Sequence, residues 1–365
     1  MLLFSVLYGF WVANYVAFEG DVIRELATQF LTLAEERQAA LPLVTGHRLM
    51  GASFLHAGEI AKARIHLDKA VQLFEPDKHR SGATLFGQDV RVAALFYRSL
   101  ALWQLGYPDA AMRDAASSVT DARDTGQAAT VMAALAITSL THIHCGNYTV
   151  AKAQLDEVCA LADEKNAMFW KVGGILVRGC VSALSGNPKA AVQTIESGIR
   201  AWRSTGASLW VPVYLTHLIG AHADLGQFDE AQHFLGEAMT LVQQTKERWY
   251  DAEIHRVAGE IEMRLPKRDA CKAEAYFRHA LDVAQAQQAK AFELRAATRL
   301  AGLWRDQGKC DEARKLLAPI YNWYSEGFDT NDLRQAKALL DTLGADKEVR
   351  EHLALVEPAE SDLAS

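Results

Sequence analysis

The chain has 365 residues, half of them hydrophobic and 23% charged, with a formal net charge of −7. This is the composition of an ordinary folded protein, which excludes a disordered or fibrous chain, and the negative sign argues against a general nucleic-acid footprint. Five cysteines with no CxxC pair exclude a disulfide framework or a zinc site by spacing, and are expected reduced and buried in a cytoplasmic protein.

In chain order, Met1 to Phe18 carries no charge. It has neither a basic start nor a small-residue cleavage site, and Gly9 and Asn14 interrupt it. It therefore reads as the first helix of a repeat and not as a signal peptide or membrane span. No earlier helix covers its apolar side (Leu2, Leu3, Val6, Phe10). That leaves a homo-oligomer contact, or a chain that is one part of a longer protein, as expectations.

A register then recurs: Ile23, Ala63, Ala111, Ala151, Ala191, Ala231, Ala273 and Ala313, at steps of 40, 48, 40, 40, 40, 42 and 40. Five residues before six of these stands a glycine: Gly58, Gly106, Gly146, Gly186, Gly226 and Gly308. Chance alignment of six glycines has a probability on the order of 10⁻⁷, so the chain is a repeat array. Within one unit, Gly186 ends a helix, Asn187 and Pro188 open the next, and Ala191, Ile195, Gly198 and Trp202 share one helical face. Asn147, Asp229 and Asp311 are expected to cap in the same way. Small residues seven before each turn glycine (Gly51, Ser99, Ser139, Gly179) form notches for large residues four after each rung (Leu67, Leu155, Ile195).

The expected fold is all-α: a right-handed α-solenoid of about eight helix-turn-helix units with a period near 40 residues. Units end near residues 40, 76, 124, 164, 204, 246, 288 and 326. The long step falls in a polar connector, Phe74 to Asp89, and the 42-residue step in the turn around Pro266 to Asp269. Asp329 to Leu343 is the closing helix. From 344 to 365 there are six acids against Lys347 and Arg350, and this tail is expected disordered from about Glu351.

The spacing resembles the tetratricopeptide repeat. Val44 to Pro76 fits best, through Gly51, Phe54, Gly58, Ala63, Leu67, Ala70 and Pro76, although the period is longer. Whole phrases are similar to the C-terminal repeat region of bacterial adenylate/guanylate cyclase-related predicted ATPases: Ala101 to Pro108, Trp249 to Glu260, and Glu293 to Thr330. That resemblance implies a regulatory or sensory module of a bacterial signalling system, whose cyclase and ATPase domains would lie outside this chain. No P-loop, GxSxG, HExxH or GxGxxG is present, so no catalytic, cofactor-binding or metal-binding residue is assigned. His142 and His144 point about 200° apart on a helix and do not make a metal pair.

In tetratricopeptide-like arrays the first helix of each unit lines the concave side. If that holds here, a groove would carry Arg48, His56, Phe96, Trp103, Gln104, His144, Asp224, Arg256, Arg295 and Arg305. An aromatic middle with an arginine end suits a protein or peptide partner having an apolar anchor and a carboxylate, and leaves room for a small effector. Neither nucleic acid nor membrane is an expected partner.

Overall fold

The computed structural model describes residues 1–79 and 82–356, with residues 77 and 345–356 described by backbone alone. Its helices fall into eight antiparallel pairs. The first four pairs are α1 (Leu2–Ala17) with α2 (Gly20–Glu36), α3 (Ala40–His56) with α4 (Ile60–Leu73), α7 (Val90–Gln104) with α8 (Pro108–Thr125), and α9 (Ala128–His144) with α10 (Tyr148–Glu164). The remaining pairs are α11 (Met168–Leu184) with α12 (Pro188–Ser204), α13 (Val211–Asp224) with α14 (Phe228–Thr245), α15 (Asp251–Arg264) with α16 (Ala270–Ala286), and α17 (Lys290–Asp306) with α18 (Cys310–Asn322). The expected all-α repeat solenoid is what the chain forms. Every rung from Ile23 to Ala313 lies on the second helix of its pair and is fully buried.

The notches are real. A Cβ added at Gly51 would stand 2.5 Å from the Leu67 side chain, at Gly179 2.7 Å from Ile195, and at Gly259 2.5 Å from Phe277. Each glycine's cost to its helix, about 1 kcal/mol, is offset by the packing of the large residue opposite. Capping is more varied than expected. Asn187 and Asp269 accept from backbone amides of α12 and α16, whereas Asn147 occupies its cap position without a side-chain bond. Asp229 and Asp311 sit inside the first turns of α14 and α18, where their charge meets the positive end of the helix.

Three other local expectations change. The connector folds into two short helices, α5 (Pro76–His79) and α6 (Gly82–Phe86), and Phe86 is buried against Tyr8 and Phe30. The closing helix α19 runs Asn331–Val356, past the boundary expected at 343; the rest of the tail, 357–365, lies outside the described residues. Of the five cysteines, Cys145, Cys180 and Cys310 are buried, but Cys271 is exposed.

The coil winds back on itself. The amides of Ser208 and Leu209 donate to the Val16 carbonyl at 3.0 and 3.1 Å, joining the turn of the first pair to the loop after α12. Those of Arg248 and Trp249 donate to the His56 carbonyl at 2.8 and 3.2 Å, joining the second pair to the loop after α14. The Ala110 amide donates to Glu326 at 3.0 Å, joining the third pair to the loop after α18. Gly106 sits in that third turn with φ +88°, and a Cβ there would meet Trp323 at 2.5 Å, so both its backbone and its neighbour require glycine. The first helices are consequently enclosed: 13 of 15 residues of α7 and 14 of 17 of α9 are buried, against 4 of 17 in α10.

A charged cavity and cleft at the C-terminal end of the coil

This winding fills most of the expected groove. Arg48 is buried between α1 and α3; its guanidinium lies over Tyr8 and Trp11 and donates to the Tyr8 hydroxyl at 3.2 Å. Phe96 is buried against Tyr97. Trp103 stacks on His144 at 4.1 Å and meets Phe292 edge-on. Gln104 is wholly buried. These side chains, with His56, are core and not the exposed surface expected of them: α1 covers Arg48, and Phe292, Trp210 and Trp249 from later pairs cover Trp103 and His56.

His56 lies at the centre of this closure. Its Nε2 accepts from the Trp210 indole at 2.9 Å, and its ring packs edge-on against Trp249. Burial lowers the imidazole to about 4, against the Ala52 carbonyl, so the ring is neutral. Nearby, buried Glu247 accepts from the Trp210 amide at 3.0 Å and the Trp249 indole at 3.0 Å. Burial raises its carboxyl to about 8 in spite of those bonds. The sequence carried no signal for Trp210 or Trp249 as partners of His56, nor for Glu247 as the acceptor for both tryptophans.

Toward the C-terminal end the interior changes character. Glu253, Arg256 and Glu260 fall on one face of α15 by their i, i+3, i+7 spacing. Arg295, Thr298 and Arg299 face them from α17, and Asn331, Asp332 and Gln335 from the first turns of α19. Arg256 bonds both oxygens of Glu253, at 2.8 and 3.0 Å, and reaches Glu260 at 2.5 Å. Arg299 also pairs with Glu260. Arg295 joins Asp332 at 2.8 Å, Glu253 at 3.2 Å and the His144 carbonyl at 3.3 Å, with its guanidinium 4.9 Å from the Trp103 ring centre. The result is one chain of alternating charge: Asp332, Arg295, Glu253, Arg256, Glu260, Arg299. Burial alone would raise the Glu253 carboxyl, but Arg256 and Arg295 outweigh it and hold it at about 2.

All of these residues but Glu260 line a cavity of about 160 Å³, together with His144, Tyr148, His217 and Tyr250. Burial brings His217 down to about 4 and His144 well below its ordinary value, so both rings are neutral. The cavity adjoins a wider cleft of about 890 Å³ between α15, α17 and α19. The cleft is floored by Met263, Phe277, Leu303 and Leu339, with Arg264, Arg299 and Arg305 among its charged lining. Arg305 pairs with its neighbour Asp306, and Asp224 stands outside the cleft, paired at 2.7 Å with Arg264. Of the ten groove residues, the structure thus brings together His144, Arg256 and Arg295 at the cavity and Arg305 in the cleft. Asp332, read from sequence only as part of a cap, is a wall of the site; His217, Tyr148 and Tyr250 gave no signal.

No group of three metal-ligating side chains occurs among the described residues, and none of the described helices is long and apolar enough to cross a membrane. No protein-family profile matches the chain, and no curated protein sequence matches it. Solved structures do. A Rap protein complexed with competence and sporulation factor superposes with a TM-score of 0.57 at 15% identity, over 77% of this chain and 76% of that one. The apo form of RapI gives 0.48 at 11% identity, over 91% and 99%. A signal-transduction ATPase with a tetratricopeptide repeat sensor from Pyrococcus horikoshii gives 0.41 at 10%, over 91% and 49%. The fold is that of the tetratricopeptide-type repeat scaffolds. The narrower resemblance to cyclase-related ATPases stands on its sequence phrases alone.

Proposed function

We propose that this chain is a non-catalytic scaffold, a cytoplasmic regulatory module of a bacterial signalling system, that binds a segment of a partner protein in the cleft between α15, α17 and α19. The observation that carries the reading is the cleft itself: an apolar floor with arginines beside it, opening beside a charge-lined cavity. Apolar floors supply affinity, and guanidinium groups recognise carboxylates with directional bonds. An extended segment with an apolar anchor and acidic neighbours matches both. The Rap protein solved with competence and sporulation factor is an instance of a similar coil in complex with a factor. Five cysteines with no CxxC pair suit a reducing compartment.

The test is to pan a displayed random-peptide library on the full chain and on Arg305→Glu. Enrichment of acidic peptides with an apolar anchor, weakened at least tenfold by Arg305→Glu, is the expected result. No enrichment over the unselected library, or enrichment indifferent to the substitution, overturns the reading.

A second contact is favoured by the outer face of α1, where Leu2, Leu3, Val6 and Phe10 are all exposed. Contiguous apolar surface of this kind pairs readily with a second copy. Phe10→Glu would then lower the mass measured in solution; an unchanged mass would remove the self-association idea.

A further inference from the structure

We propose that the cavity between α15, α17 and α19 binds a compact zwitterion, a free amino acid or a close analogue. This rests on the reading of the coil as a binding scaffold but not on the protein-binding cleft beside it. Three observations carry it. The first is size: a volume of about 160 Å³ is close to that of an engineered cavity of about 150 Å³ that admits benzene, so the fitting ligand has about six to ten non-hydrogen atoms. The second is charge. Arg256, Arg295 and Arg299 line the cavity with Glu253 and Asp332, and Glu260, outside that lining, pairs with Arg256 and Arg299, so that the connected network alternates and carries no net charge. A lone carboxylate or a lone ammonium entering such a balanced site brings an uncompensated charge and its desolvation cost. A zwitterion adds no net charge, and each of its ends meets wall groups of the opposite sign. The third is an unused bonding group. His144 lines the cavity, is 5% exposed, and its Nε2 has no hydrogen-bond partner among the described residues. Buried polar atoms are rarely left so unless something else satisfies them.

The experiment is titration calorimetry on the full chain with four kinds of probe: a panel of the free amino acids, propionate, propylamine and glycerol. The expected result is saturable binding of at least one amino acid, with propionate, propylamine and glycerol each at least tenfold weaker. Thr298→Met narrows the cavity without removing a charge, and is expected to weaken that binding at least tenfold while the thermal unfolding midpoint stays within a few degrees. Saturable binding of none of the amino acids overturns the proposal. So does equal binding of propionate, propylamine or glycerol, or amino-acid binding that Thr298→Met leaves unchanged. Peptide enrichment on Arg305→Glu reads the neighbouring cleft, so failure of the scaffold reading and failure of this one are told apart.

Discussion

The two ends of the coil's interior solve the same problem in opposite ways. Where the first and second pairs meet the loops after α12 and α14, the interior is aromatic and closed. His56, Trp210 and Trp249 fill it, and the two ionisable groups at its centre, His56 and Glu247, are pushed by burial toward their neutral forms. Where α15, α17 and α19 meet, the interior keeps its charges and keeps a cavity. The difference lies in pairing. Glu247 has only neutral donors around it, whereas Glu253 has two guanidinium groups. A carboxylate with neutral donors alone stays protonated more readily; one between arginines stays ionised. The closed end is therefore a seam of neutral groups, and the charged end keeps ionised groups around open space.

Substitutions can break this comparison at either end. The largest effect is expected at the seam. Trp249→Ala removes a fully buried ring and the indole that donates to Glu247, and should cost about 3–5 kcal/mol in urea unfolding. At the charged end, Arg295→Ala strands Asp332 and leaves Glu253 with Arg256 as its remaining guanidinium, and should cost about 3 kcal/mol by the same measurement.

The pH dependence sharpens the contrast. The Glu247 carboxyl is raised from 4.5 to about 8, so the folded chain holds a proton the unfolded chain releases. Its contribution is present below pH 4.5 and lost as pH rises through 8, at no more than about 1.4 kcal/mol per pH unit. Glu247→Gln should therefore gain stability relative to wild type between pH 6 and pH 9. Glu253 behaves inversely. Lowered to about 2, its contribution is present above 4.5 and lost as pH falls toward 2, so acid weakens the charged end. His56, neutral down to about 4, adds an acid-side loss at the seam below 6.5, and Glu247→Gln leaves that limb in place. A wild type and variant with the same alkaline slope would contradict the assignment. The smallest effect belongs to Arg305→Ala, half-buried and paired with its neighbour Asp306, which should change stability by less than about 0.5 kcal/mol.

Much of this architecture was legible in the sequence. The rungs, the turn glycines and the notch pairs such as Gly51 with Leu67 are local, set within one helix pair, and each landed where its spacing put it. The seam was not legible. Ser208 and Ala17 bond across 191 residues, and no local pattern marks such a meeting. It follows from small rotations summed over successive pairs, which fix how steeply the coil winds. For the same reason His56 and Trp103 looked like groove residues: they lie on first helices, but Trp210, Trp249 and Phe292 from later pairs cover them. Arg256 and Arg295, by contrast, line open space between α15, α17 and α19.

The closure of the coil is the claim on which the rest depends, and hydrogen exchange at four amides tests it most directly. Ser208, Leu209, Arg248 and Trp249 lie in loops between helices, and their amides donate across the seam to Val16 and His56. The wound coil predicts that these loop amides exchange as slowly as those in the interior of α7. Exchange at the rate of open loop amides would mean that the turns stand apart and that the groove residues are exposed after all.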